Sequence, residues 1–286
     1  MTTAALLLVL GSAVIHATWN LLTKRLGGGA VAVWCFATVG FLVYAPLVAL
    51  TIWWERPDLD AERWIFLVGS GIFQLVYFVI LLRGYRAGDL SVVYPLARGT
   101  GPVLAMALAI GLLGERPGPL AIAGGVLVAL GVFSLAFTGH RPGASLFGAG
   151  APYGVATGIV IAIYTVWDGY AVSRIGIPPV VQSWSSEVAR VLLLTPVAAG
   201  HRCEARALWR CHWREVVAIG VLSPLSYLIV LFAMTLSPIS YIAPAREVSI
   251  LFGAVLGAKL LHEGHHRQRL IGSAVIVLGI GALTVG

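Results

Sequence analysis

Charge is scarce in this sequence. Only 11% of its 286 residues are Asp, Glu, Lys or Arg, whereas a soluble domain carries about 25%. Such a chain cannot cover a water-facing surface. Cysteine is scarcer still: Cys35, Cys203 and Cys211 are too few for a disulfide scaffold. Cys203 and Cys211 lie beside His201 and His212, but their spacing matches no standard zinc knuckle, and the stretch reads as a plain loop. The apolar N-terminus MTTAALLLVLGSAVIHATWN has no Lys or Arg before it. A cleaved signal peptide wants a positive start, so this segment reads as a retained membrane helix. The chain also has no G-x-x-x-x-G-K-[ST] loop, which argues against an ATP-driven machine.

What is abundant is apolar. Hydrophobic residues make up 59% of the chain and the mean hydropathy is +0.92. The net charge of +7 comes from basic residues scattered through short loops, with no basic stripe in the sequence. That distribution fits the positive-inside bias of membrane proteins and excludes a nucleic-acid partner. Runs of about 20 apolar residues cross a bilayer as helices. Ten such runs are predicted, near 4–22, 30–54, 64–82, 91–113, 120–137, 153–172, 179–199, 216–236, 240–261 and 269–286. The longest linkers between them are 138–152 and 200–215.

The chain repeats itself at an offset of 148 residues. Trp19-Asn20 meets Trp167-Asp168, Arg98 meets Arg246, Glu115 meets Glu263, Gly124 meets Gly272 and Gly131 meets Gly279. Allowing a gap of one or two residues, Tyr77 meets Tyr227 and Pro95 meets Pro244. Residues 1–137 and 153–286 are therefore expected to be two homologous units of five spans each, joined by the 138–152 linker. An odd number of spans forces the second unit to enter the membrane from the opposite side. The fold class expected is all-α: ten transmembrane helices as two inverted five-helix repeats around a central cavity.

The stretch HEGHH (262–266) spells H-E-x-x-H, the signature of zinc proteases. It opens one alternative, an intramembrane zinc hydrolase using His262, Glu263 and His266. The repeat argues against that. The equivalent turn, GERPGP, holds Glu115 but no histidine, Gly264 interrupts the helix a zincin needs, and no third ligand with a recognisable motif stands elsewhere. Neither a metal nor any other cofactor is expected.

Two stretches resemble the EamA-type transporters of the drug/metabolite transporter superfamily: SVVYPLARGTGPVLAMALAIGLLGERPGPLAIAGGVLVALGVF (91–133) and SYIAPAREVSILFGAVLGAKLLHEGHHRQRLIGSAVIVLGIGAL (240–283). HATWNLLTKR (16–25) is similar to the first helix of many bacterial members. The resemblance implies a central pocket lined by spans 1, 3, 4, 6, 8 and 9, and alternating access in the cell (inner) membrane. It implies a small-molecule substrate and does not name it.

Six ionisable side chains stand well inside predicted spans: Arg98, Asp168, Glu187, Arg190, Arg246 and Glu247. Each costs roughly 2.5–3.5 kcal/mol on insertion scales, so they must face the interior and mostly pair. Glu187 and Arg190, three apart, form one candidate structural ion pair. Arg98 and Arg246 sit at equivalent depths and are candidates to grip a carboxylate or phosphate. The alternative is that each pairs with Glu247 or Asp168. Asp168 is the leading proton-coupling candidate and Glu247 the reserve. His16, Trp19 and Asn20 share one helical face, as do Tyr164, Trp167 and Asp168. With Gln74, Tyr77, Tyr94 and Tyr227 they complete the expected substrate site. Pro95, Pro102, Pro224 and Pro244 are expected to kink their helices.

The function expected is secondary transport, most simply export, of a small amino-acid-like or other anionic solute, with protons as coupling ion. Phosphorylated or phosphonate solutes are the alternative. Loops after odd-numbered spans carry eleven Lys or Arg and those after even-numbered spans four. The charge rule thus puts both termini outside the cytoplasm, whereas the family resemblance implies termini inside. The sequence does not specify the oligomeric state.

Overall fold

A computed structural model describes residues 1–26, 29–88, 90–137, 148–252 and 266–286. Among them every regular element is an α-helix. In chain order these are α1 (Thr3–Leu26), α2 (Ala30–Glu55), α3 (Ala61–Ala87), α4 (Leu90–Leu113), α5 (Pro119–Phe137), α6 (Ala151–Ser173), α7 (Pro179–Gly200), α8 (Arg202–Cys211), α9 (Trp213–Leu236), α10 (Ile239–Ala245) and α11 (His266–Val285). The stops are chemical. Gly114 (φ 67°) and Gly176 (φ 77°) take the left-handed conformation that ends α4 and turns the chain after α6. Asp60 caps α3, its side chain accepting the Arg63 N–H at 2.9 Å.

Among the described residues six helices (α1, α2, α3, α4, α6 and α9) are long and apolar enough to cross a membrane. Shorter apolar stretches, Pro119–Leu135 and Ile271–Val285, occupy α5 and α11. Helix α7 spends much of its length on Gln182, Glu187, Arg190 and three serines. Large apolar side chains face outward: Leu42, Leu50, Leu112, Leu192 and Leu278 are each more than half exposed. Water would penalise that surface and lipid does not.

Two expectations are corrected. The linker 200–215 contains the helix α8, because its Ala, Leu, Arg and Glu are strong helix formers. The ninth span, read as continuous over 240–261, is broken: α10 ends at Ala245, Arg246 and Glu247 form a turn, and helical backbone resumes at 248–252. Pro244 has no N–H to give, and the bonds at the break tighten to the i→i+3 kind. Glu247 N–H reaches Pro244 O at 3.1 Å, and Ile250 N–H reaches Glu247 O at 2.9 Å. Prolines elsewhere do not break their helices; α4 runs unbroken past positions 95 and 102, and α9 past Pro224.

Helix directions follow from who touches whom. Ser12 Oγ donates to Ser226 O at 2.7 Å and Thr2 N–H to Ser237 Oγ at 3.0 Å, so α1 and α9 run antiparallel. Trp167 Nε1 donates to Phe66 O at 2.9 Å while Gly84 lies against Tyr153, so α3 and α6 are antiparallel as well. Helices α5 and α11 cross with backbones nearly touching: a Cβ on Gly124 would fall 2.6 Å from Gly279 O, and one on Gly131 would fall 2.9 Å from Gly272 O. Only glycine allows that approach. Helix α4 lies alongside α6, with Gly154 against Val93 and Gly158 against Thr100. The main apolar core gathers Val128, Met234, Ile239, Ile242, Ile276 and Leu283 where α5, α9, α10 and α11 meet.

Candidate functional site

Asp168 is fully buried, with neutral donors on both carboxylate oxygens. Gln182 Nε2, from α7, donates to Oδ1 at 2.9 Å, and the Tyr227 hydroxyl, from α9, donates to Oδ2. Among the described residues no cation pairs with it. A buried carboxylate stripped of water needs such donors to offset its desolvation. Gln182 has no place among the expected site residues, yet it is fully buried and essential to this arrangement. The one signal in the sequence is that an amide stands in a membrane helix at all.

A second cluster forms at the break in the ninth span. Arg98 Nε lies 3.3 Å from Glu247 Oε2, with side chains only 13% and 4% exposed. The angle is wrong for a hydrogen bond, so neither of these two atoms has a hydrogen-bond partner, and the attraction is purely ionic. Arg98 Nη2 donates to His16 Nε2 at 3.2 Å and approaches Ser249 Oγ at 3.4 Å. Arg246 behaves differently. Its guanidinium lies over the Tyr227 ring, 5.6 Å from the centroid, and forms no ion pair among the described residues. Tyr227 therefore touches both groups, its hydroxyl on Asp168 and its ring face under Arg246. Tyr77, Tyr164 and Tyr227 meet edge to face at 5.9 and 6.4 Å in one packed aromatic group.

The expected Glu187–Arg190 pair is present at 2.7 Å. Arg190 also donates to Gln74 Oε1 at 2.9 Å, while the Gln74 amide stands beside Asp168, so Gln74 joins the ion pair to the buried carboxylate. Several other candidates have scaffold contacts. Trp19 Nε1 donates to Ser226 Oγ at 3.2 Å, and Trp167 packs against Gly69, where a Cβ would sit 2.6 Å from its ring. The Asn20 amide donates back to His16 O at 2.8 Å within its own helix. His16 keeps an edge-on contact with Trp19 at 4.9 Å. Tyr94 is 37% exposed. Thus His16, Gln74, Tyr77, Arg98, Tyr164, Asp168, Tyr227, Arg246 and Glu247 come together, while Asn20, Trp19 and Trp167 turn to packing.

The motif residues His262, Glu263, Gly264 and His265 lie outside the described residues, as do 138–147 of the linker. Among the described residues no three His, Cys, Asp or Glu side chains converge to hold a metal.

Over residues 3–137 the chain matches the EamA-like transporter family. These residues are an EamA-like transporter domain. The match supports a multi-pass membrane transporter of the drug/metabolite superfamily, in keeping with the resemblance carried by 91–133 and 16–25. A solved structure described only as "Crystal structure of protein" superposes with a TM-score of 0.77 at 18% identity, covering 100% of this chain and 98% of that one. At that identity the likeness speaks for the fold alone. No curated protein matches the chain significantly. The EamA-like domain supplies His16, Gln74, Tyr77 and Arg98 to the site. Tyr164, Asp168, Tyr227, Arg246 and Glu247 come from beyond it.

Proposed function

We propose that the protein is a secondary transporter of a small organic anion, built as two inverted five-span repeats and working by alternating access with protons as coupling ion. The observation that carries this is Arg246, a guanidinium at a helix break, without an ion pair among the described residues and lying on the tyrosine that holds a buried carboxylate. A cation kept at such a depth is costly unless something anionic visits it. Glu247 is engaged by Arg98 and Asp168 by neutral donors, so the visitor is the solute. Broken helices at the repeat interface are where transporters of inverted construction bind solutes.

The inverted arrangement draws support from the helix pairings. At the 148-residue offset α1 corresponds to α6 and α9 to α3. The α1–α9 contact is thereby repeated as α6–α3, and both are antiparallel. Helices α5 and α11, equivalent by the same offset, pack antiparallel on each other. Two units that pointed the same way would not place equivalent helices head to tail.

Uptake into proteoliposomes tests the proposal, using a panel of amino acids, carboxylates, phosphates and phosphonates with and without a pH gradient. Anionic solutes should be moved, and the gradient should accelerate them. Asp168→Asn should abolish the gradient's effect while leaving solute binding largely intact. Proton coupling that survives in that variant removes Asp168 from the mechanism; a panel on which only neutral or cationic solutes move defeats the anion reading.

A further inference from the structure

Helix α8 does not belong to the site, and its pattern is of another kind. Ten residues long, with none buried, it joins the end of α7 to the start of α9. Arg202, Arg206 and Arg210 are spaced four apart and form one exposed stripe. On the opposite side Ala205 and Leu208 pack against the start of α2, in the cluster of Val31, Cys35 and Phe36. The acid of this helix, Glu204, turns toward Gly29 at the α2 N-terminus, where it complements the helix dipole. The arginine stripe forms no ion pair among the described residues. Trp209 and Trp213 are 39% and 51% exposed, and Arg214 lies over the Trp213 ring at 5.5 Å. Exposed tryptophan beside arginine is the chemistry of the headgroup layer.

We propose that α8 is a binding site for anionic phospholipids, its arginine stripe holding acidic headgroups at the membrane surface. Charge complementarity selects this occupant. The helix leads directly into α9, which is long and apolar enough to cross a membrane, so it lies at the lipid boundary. The same end of the bundle exposes Arg83 and Arg86 of α3. Each arginine near an acidic lipid surface raises affinity about fivefold.

The test titrates the full-length protein in detergent with fluorescent phosphatidylglycerol and phosphatidylcholine, with inorganic phosphate as competitor. Phosphatidylglycerol should be preferred, the preference should weaken with salt, and millimolar phosphate should not displace it. The triple variant Arg202→Gln, Arg206→Gln, Arg210→Gln should lose about 100-fold of the preference. The triple Arg→Lys variant should keep most of it, and its folding and the salt series on the unaltered protein make the test independent of the glutamine variant's stability. Equal affinity for both lipids, a preference unchanged in the glutamine variant or insensitive to salt, loss in the lysine variant, or displacement by free phosphate would each overturn the proposal.

Discussion

Arg98 and Arg246 are equivalent in the repeat but not in their surroundings, so replacing each by glutamine should have opposite consequences. Removing Arg98 leaves Glu247, 3% exposed, without its cation. Breaking a buried pair from one side costs about 3–5 kcal/mol. The lower end applies here because the 3.3 Å contact is not a hydrogen bond. At about 2–4 °C per kcal/mol, thermal unfolding in detergent should fall by on the order of 10 °C. Removing Arg246 forfeits its contact with Tyr227, worth about 0.5–2 kcal/mol, and a weaker attraction to Glu247 that Arg98 still supplies, and should move the melting point much less. Instead it should weaken anionic solutes by about 10- to 150-fold, the worth of a charge-assisted bond of about 1.5–3 kcal/mol, and spare neutral ones. The double variant Arg98→Gln, Glu247→Gln removes both charges and should recover most of the lost stability. The reasoning fails if Arg98→Gln melts like the unaltered protein, if the double variant recovers nothing, or if Arg246→Gln proves the more destabilised of the two.

Three further outcomes follow from single contacts. Glu115 accepts the N–H groups of Ile239 and Ser240 at 2.9 and 2.8 Å, tying the α4–α5 turn to the start of α10; Glu115→Ala should cost about 2–4 kcal/mol in a melting experiment and Glu115→Gln about half of that. Gln182→Leu strips a donor from Asp168 and should destabilise by about 1–3 kcal/mol, with the loss roughly halved in an Asp168→Asn background, whose amide oxygen still accepts but carries no charge. Gly124→Ala should lower the melting point because the new Cβ meets Gly279 O at 2.6 Å, whereas Gly111→Ala, with nothing within 4 Å, should be neutral or gain about 0.5–1 kcal/mol.

The helices were legible because lipid imposes so simple a rule: enough apolar residues in a row must be a helix. Where the structure departs from the linear reading, a polar residue is doing something that hydropathy does not register. Arg246-Glu247 breaks a span that averages apolar across the gap. Helix α8 was hidden because arginine in a linker looks like solvated loop until its four-residue spacing is seen against Ala205 and Leu208. The Glu187–Arg190 pair was readable, since both partners lie on one helix. The Arg98–Glu247 pair was one of several open pairings, because which arginine takes the glutamate depends on how α4 meets the break. Gln182 was invisible for a related reason: its partners, Asp168 and Phe66 O, lie on two other helices.

The repeat itself sorts scaffold from function. Trp19 and Trp167 both use the indole N–H to tether neighbouring helices, one to Ser226 on α9 and one to Phe66 on α3. Gly124 and Gly272, like Gly131 and Gly279, share one close crossing. Positions that kept the same task in both halves are holding the halves together. Two pairs have parted company. Asn20 turns back on its own helix, while Asp168 is gripped from two others. Arg98 is neutralised by Glu247, while Arg246 lies on Tyr227 with no ion pair among the described residues. Symmetric packing needs no such divergence. The site proposed above, with one solute and one proton, does, because a single guest cannot be shared equally by two copies of the same surroundings.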